Sequence, residues 1–138
     1  VVTVSWTLAQ LLKAGLYALM NRTWSWERLF GAGGMPSSHS ATVCALATAA
    51  LIAYGLSSFQ FAFSIVLAII VLHDASGVRL ETGRQAEILN EMMRNWHQDH
   101  NPFSNKVLKE LVGHTPLQVL VGALMGIMVA VIVNAILS

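Results

Sequence analysis

The fold class predicted by this sequence is an all-α integral membrane protein. It has about four transmembrane helices and an amphipathic helix in the third connection. Three observations predict it. The 138 residues are 55% hydrophobic and only 11% charged, against about 25% charged in an ordinary soluble domain. The apolar residues gather into four runs, 1–20, 40–55, 59–72 and 116–137. The basic residues are one-sided: of eight Lys and Arg, all but Lys13 lie in the 21–39 and 73–115 connections.

Composition also excludes whole classes. A mean hydropathy of +0.61 is incompatible with a disordered or collagen-like chain. A net charge of +1 supplies no bulk field to gather a nucleic acid. The single cysteine, Cys44, excludes an internal disulfide framework and a multi-cysteine zinc site. It lies in an apolar run and reads as a small core residue. At roughly 150 residues per domain, residues 1–138 form one membrane-embedded domain.

The spans follow in order. The first, about 1–20, is long enough to cross a bilayer and lacks the basic start of a signal peptide. Lys13 interrupts it. The second and third, about 40–56 and 58–73, are shorter and flank Tyr54-Gly55-Leu56-Ser57-Ser58, a tight-turn sequence. Together they read as a transmembrane hairpin. The short third run alone also suits a soluble helical core, but too few charges remain to cover a soluble surface. The fourth span, about 116–137, carries Gly122 and Gly126, a small-residue spacing that permits close helix packing within one chain or between two. With four spans, the two basic connections share a face, and the positive-inside rule makes that face cytoplasmic.

The third connection has structure of its own. Gln85, Ile88, Leu89, Met92 and Trp96 recur at spacings of three and four, which predicts an amphipathic helix packed on the bundle or lying at the interface. Arg84 with Glu87, and Glu91 with Arg94, can pair across a turn. Asn101-Pro102 ends this helix, and a short one over about 104–112 stops at Gly113.

Chemistry-bearing residues collect where spans begin. Gly33-Gly34-Met35-Pro36-Ser37-Ser38-His39-Ser40 leads into the second run. Ser37 or Ser38 can cap that helix, and amides at a helix start beside serine hydroxyls suit a phosphate oxyanion. His39, in the first turn, can protonate a leaving oxygen. A plain helix start with an interfacial histidine fits the same residues. Gly113-His114-Thr115-Pro116 repeats the arrangement at the fourth run, with Thr115 as cap and Pro116 at the first helical position. Two of the five histidines thus stand at the cytoplasmic starts of different spans. On a shared oxyanion they could act as nucleophile and general acid; as unrelated interfacial residues they would do neither. Asp74, at the end of the third run, can orient a histidine. Arg79 can grip two phosphate oxygens. The alternative for this pair is a surface salt bridge at a helix stop. Lys13 sits about 12 Å from the cytoplasmic end of its span at 1.5 Å per residue, where a charge normally serves a site inside the bundle; the rival, snorkelling to the interface, has far to reach. His97-Gln98-Asp99-His100 matches no specific metal spacing and reads as a solvated loop; no cofactor is expected.

The blocks at 33–41, 74–79, 83–90 and 108–116 together resemble one family, the divergent membrane branch of the type 2 phosphatidic acid phosphatase and vanadium haloperoxidase superfamily. The resemblance spans nearly the whole chain in order. It implies a helical bundle around a phosphate pocket and metal-free phosphoester hydrolysis through a phosphohistidine. Carried over by position, His114 is the nucleophile and His39 the acid. Ser37 matches the motif serine, Ser38 replaces its glycine, and Lys13 matches the lysine of the first motif. The departures are specific. Met20 stands where an Arg-Pro pair is expected, and Leu108 stands in an arginine place with Lys109 next to it. Gln118 replaces an aspartate one turn after His114. Gln118 can still reach the His114 ring but supplies no negative charge. Asp74 and Arg79 are the candidates to compensate.

The expected substrate is a lipid phosphate, or another phosphate monoester or pyrophosphate, met at the cytoplasmic side of a bacterial cytoplasmic membrane or its organellar equivalent. Membrane lipids are expected partners, nucleic acid is not, and a homo-oligomer or larger membrane complex is compatible. The alternatives are a non-catalytic phosphate-binding membrane protein and an accessory subunit of a membrane complex.

Overall fold

The computed structural model describes residues 1–22, 34–96 and 113–137, the side chains of 94–96 aside. Every regular element among them is helical: α1 (Val2–Asn21), α2 (Ser38–Tyr54), α3 (Phe59–Ser76), α4 (Val78–Trp96) and α5 (Pro116–Leu137). The helix predicted over 104–112 lies outside the described residues, as do Lys109 and the 97–100 segment.

The centre of the bundle is α2, which packs against α1, α3 and α5. Its sequence explains this. Ala41, Ala45, Ala47 and Ala50, with Ser40, Val43 and Cys44, are all buried. Small side chains around most of the circumference let three neighbours approach at once. On the α5 side, a Cβ on Gly126 would fall on the Ala41 carbonyl, and one on Gly122 on the Ser37 carbonyl. The Gly122–Gly126 pair therefore serves packing within one chain. Ser5 of α1 donates its hydroxyl to the same Ala41 carbonyl at 3.1 Å, so α1, α2 and α5 meet at one backbone group.

The large apolar residues point the other way. Leu11 and Leu12 of α1, Val66, Ile69 and Ile70 of α3, and Leu120, Leu124 and Ile132 of α5 are exposed. The largest fully buried side chains are serines. Small and polar groups inside with large apolar groups outside is the arrangement a bilayer rewards, because lipid solvates the outer face and packing alone holds the inner one. Two helical stretches, Phe59–Met93 and Pro116–Leu137, are long and apolar enough to cross a membrane.

Local chemistry sets the ends. Ser37 caps α2, its Oγ accepting from the Ser40 amide at 3.3 Å. Ser58 caps α3 in the same way through Phe61. Between them Gly55 takes a φ of 79°, which closes the predicted turn. A single residue, Gly77, separates α3 from α4.

Of the two placements expected for the apolar stripe of α4, packing on the bundle is overturned and lying at the interface is left. Ile88, Leu89 and Met92 are exposed, and the buried positions are Gly83, Ala86 and Asn90. The apolar stripe therefore does not pack on the bundle. Arg84 pairs with Glu81 at 2.6 Å instead of with Glu87, the orientation with the acid on the N-terminal side that a helix favours.

Candidate functional site

Three chain segments converge at one end of the bundle. The first turn of α2 brings His39. The junction of α3 and α4 brings Asp74 and Arg79. The entry to α5 brings His114. Together with Ile70, Val71 and Ala75 they line a pocket of about 150 Å³.

His114 is held on several sides. Its backbone N–H donates to the Ala75 carbonyl at 3.2 Å, which ties the entry of α5 to the end of α3. Gly113 before it lies so close to α4 that a Cβ would fall on the backbone of Leu80. Only glycine permits that approach, and it sets His114 beside Arg79. Thr115 and Gln118 form a capping box on α5: the Gln118 amide donates to Thr115 Oγ1 at 3.4 Å, and the Thr115 amide donates to Gln118 Oε1 at 3.1 Å. The same Oε1 lies 3.3 Å from His114 Nδ1. One residue thus caps the helix and orients the ring.

His114 is 3% exposed. Burial is the main cause pulling its pKa below the ordinary histidine value. The charges of His39 and Lys13 act in the same direction, while hydrogen bonding to Gln118 and the Gly34 carbonyl opposes them. The neutral ring therefore persists to lower pH than in a free histidine. Any activity requiring neutral His114 is expected to keep its acidic limb below the ordinary histidine range. A pH profile of kcat/KM checks this.

Asp74 spends its carboxylate on Arg79. Arg79 Nε donates to Asp74 Oδ2 at 2.5 Å, a pair that bridges the break at Gly77 and leaves the guanidinium's terminal nitrogens for other acceptors. Lys13 is 4% exposed. It lies beneath Gly34, whose absent Cβ would touch its side-chain stem. Its charge reaches both histidines.

The serines take a structural place. Ser37 Oγ accepts from Ser40 Oγ at 2.8 Å as well as from the Ser40 amide, and the Ser37 amide donates to the Gln118 carbonyl at 3.2 Å. Ser38 is buried at the first position of α2. Neither side chain lines the pocket. Replacing Ser37 by Ala is expected to cost about 1 kcal/mol, the usual value of a lost helix cap, read as a lower unfolding midpoint. Among the described residues no group of His, Cys, Asp and Glu is arranged to hold a metal ion.

Sequence reasoning missed four contributors. The Ala75 carbonyl carries no side-chain signal. Gly113 was read as a helix stop, and its close contact with α4 is a tertiary fact. Ile70 and Val71 looked like ordinary span residues. The Gly-His-Thr-Pro string with Gln at the third helical position did carry the signature of the capping box.

A family model described as the Divergent PAP2 family matches residues 1–129. The chain is 37% identical over 134 residues to the "Uncharacterized membrane protein YuiD" of Bacillus subtilis (strain 168), an alignment covering 90% of this chain and 85% of that protein. No solved structure matches the chain. With its ordered motif blocks, its all-helical bundle and a match over nearly its whole length, the chain belongs to the divergent PAP2 family.

Proposed function

We propose that this protein is an integral membrane phosphohydrolase that cleaves a phosphate monoester or pyrophosphate on a lipid, through a phosphohistidine at His114. The observation that carries the reading is the convergence of His39, His114 and Arg79 on one pocket from three separate helix ends. In the first step His114 attacks phosphorus, the bond to the ester oxygen breaks, and His39 gives that oxygen a proton. In the second, His39 takes a proton from water, the water oxygen attacks phosphorus, and the bond to His114 breaks. Arg79 holds the phosphate oxygens with its terminal nitrogens, and the buried Lys13 adds positive potential from below. Ser37 and Ser38 support the site through the start of α2, whose end carries positive dipole.

The apolar side of the pocket favours a lipid. Ile70 is 60% exposed on the outer face of α3 and also lines the pocket, so an acyl or isoprenyl chain can lie along α3 while its phosphate reaches the histidines. Four spans, α1, α2, α3 and α5, would place the pocket at the cytoplasmic face. Two tests follow. Purified protein in lipid nanodiscs is expected to release phosphate from at least one of phosphatidic acid, phosphatidylglycerol phosphate and an isoprenyl pyrophosphate; no release from any of them contradicts catalysis. A Glu87→Cys protein is expected to react with an impermeant thiol reagent only from the cytoplasmic side, and a Ser57→Cys protein only from the other. The reverse pattern overturns the orientation.

A second reading is favoured by one specific observation. Gln118 stands where a carboxylate would strengthen the nucleophile. A pocket that binds a phosphate headgroup without cleaving it has the same residues. Headgroup binding without phosphate release distinguishes it.

A further inference from the structure

We infer that Gln118, its side-chain amide pinned by the Thr115 backbone, is a positioning residue that fixes the tautomer of His114, placing the ring proton on Nδ1 and leaving Nε2 as a bare lone pair. The kinetic half of this inference rests on the function proposed above; the structural half does not.

The argument begins with the amide, whose oxygen and nitrogen are nearly indistinguishable by shape and must be assigned from their partners. Here the partner decides. The Thr115 backbone N–H can only donate, and it meets the Gln118 side chain at 3.1 Å. An NH₂ at that place would set two donors against each other, so the atom is the oxygen. The same oxygen lies 3.3 Å from His114 Nδ1. An amide oxygen accepts and never donates, so the ring nitrogen facing it must carry the hydrogen.

Nothing nearby lets the pair relax into the opposite arrangement cheaply. Rotating Gln118 away unmakes its bond to the Thr115 amide. The backbone on either side is held as well: the Gln118 amide donates to Thr115 Oγ1, and the Gln118 carbonyl accepts from Ser37. Rotating the His114 ring instead works against its 97% burial. The remaining ring nitrogen, Nε2, lies on the edge of the imidazole away from Gln118. Among the described residues, the ionisable groups gathered around the ring are Lys13 from α1, His39 from α2, and Asp74 and Arg79 from the α3–α4 junction. Among the described residues the competing acceptor is the Gly34 carbonyl, which also draws on the ring. A neutral imidazole has a single proton, so it can serve Gln118 or Gly34 but not both.

The consequence is a division of labour. A carboxylate in the place of Gln118 would set the same tautomer and also favour the charged ring. An amide sets the tautomer alone. The site therefore keeps a neutral nucleophile at lower pH, and it gives less support to the positive charge that develops on the ring as phosphorus is attacked.

The test is magnetic resonance on histidine-labelled protein in lipid bilayers at about pH 8, above the ordinary histidine pKa of about 6.5. His114 is assigned by its disappearance in the His114→Asn protein. The expected wild-type spectrum shows a protonated Nδ1 and a bare Nε2 at this residue. Gln118→Leu is expected to move the proton to Nε2, and Gln118→Glu to leave it on Nδ1. The kinetic counterpart is an acidic limb of kcat/KM that shifts upward by about 1 pH unit in Gln118→Glu. A wild-type proton on Nε2, given to the Gly34 carbonyl, overturns the inference even if no variant folds. An Nδ1 proton that survives in Gln118→Leu overturns it too. The spectrum needs no substrate, so a protein that proves inactive still decides the tautomer, and an active one with the wrong tautomer leaves the phosphatase reading standing.

Discussion

Loss of His114 and loss of His39 are expected to have different signatures with a poor and a good leaving group. With a lipid phosphate, whose alkoxide leaves badly, His114→Ala should fall to the uncatalysed background, because the other histidine lining the pocket, His39, is committed to the proton transfer. His39→Ala should lose roughly 10²- to 10⁴-fold, the usual contribution of a general acid. With an aryl phosphate, whose phenolate leaves without a proton, His39→Ala should recover most of its first-step loss, read as a burst of phenol while hydrolysis of the phosphoenzyme stays slow, and His114→Ala should recover none. Equal losses on both substrates for the two variants would mean that the histidines share a structural role. Asp74→Asn belongs to the same series. It breaks the bond from Arg79 Nε and is expected to raise KM more than it lowers kcat, since it acts by aiming Arg79.

Replacing Gly126 by Leu is expected to damage the fold more than any other single change in the spans. The new side chain would start on the Ala41 carbonyl, with the Ala41 Cα and carbonyl carbon 2.9 Å from its first atom. All three obstacles are backbone, so no side chain can swing aside, and α5 must part from α2. The same carbonyl receives the Ser5 hydroxyl, so α1 loses its polar anchor as the carbonyl shifts. A cost at or above the upper end of the overpacking range, about 3 kcal/mol, is expected. Gly15→Leu is the control. A Cβ on Gly15 meets nothing within 4 Å, and removing a mid-helix glycine favours the helix by up to about 1 kcal/mol. Thermal unfolding in one detergent should therefore show a large drop for Gly126→Leu and none for Gly15→Leu. Equal drops would contradict the packing of α2 on α5.

These two results also separate what could be read in the sequence from what could not. Helix starts were legible because caps are local chemistry: Ser37, Ser58 and Thr115-Pro116 mark them by residue type. The turn at Gly55 was legible because a positive φ needs glycine. The histidine pair was legible because both stand a fixed step from a helix start, so two local patterns placed them on one face. The inward side of each helix was not. Periodicity finds an apolar stripe, but in a bundle whose exterior is also apolar the stripe does not name the core. In α4 it marked Ile88, Leu89 and Met92, which suit the bundle and the interface alike and are exposed, while Gly83, Ala86 and Asn90 are buried. Small residues mark the inner face in α2 and α5 as well, where Ala41 and Gly126 touch. Asp74 could have served a histidine or Arg79 by spacing alone; the break at Gly77 turns Arg79 back towards it.

The central claim is that His114 carries phosphate covalently. The most direct measurement is an acid- and base-stability test of phosphoenzyme trapped from a ³²P-labelled lipid phosphate in nanodiscs. The account predicts label that is lost in acid and kept in base, present in the wild type, absent in His114→Ala and accumulating in a variant slowed in the second step, such as His39→Ala assayed with an aryl phosphate. Base-labile label, or label of wild-type intensity in His114→Ala, would contradict it.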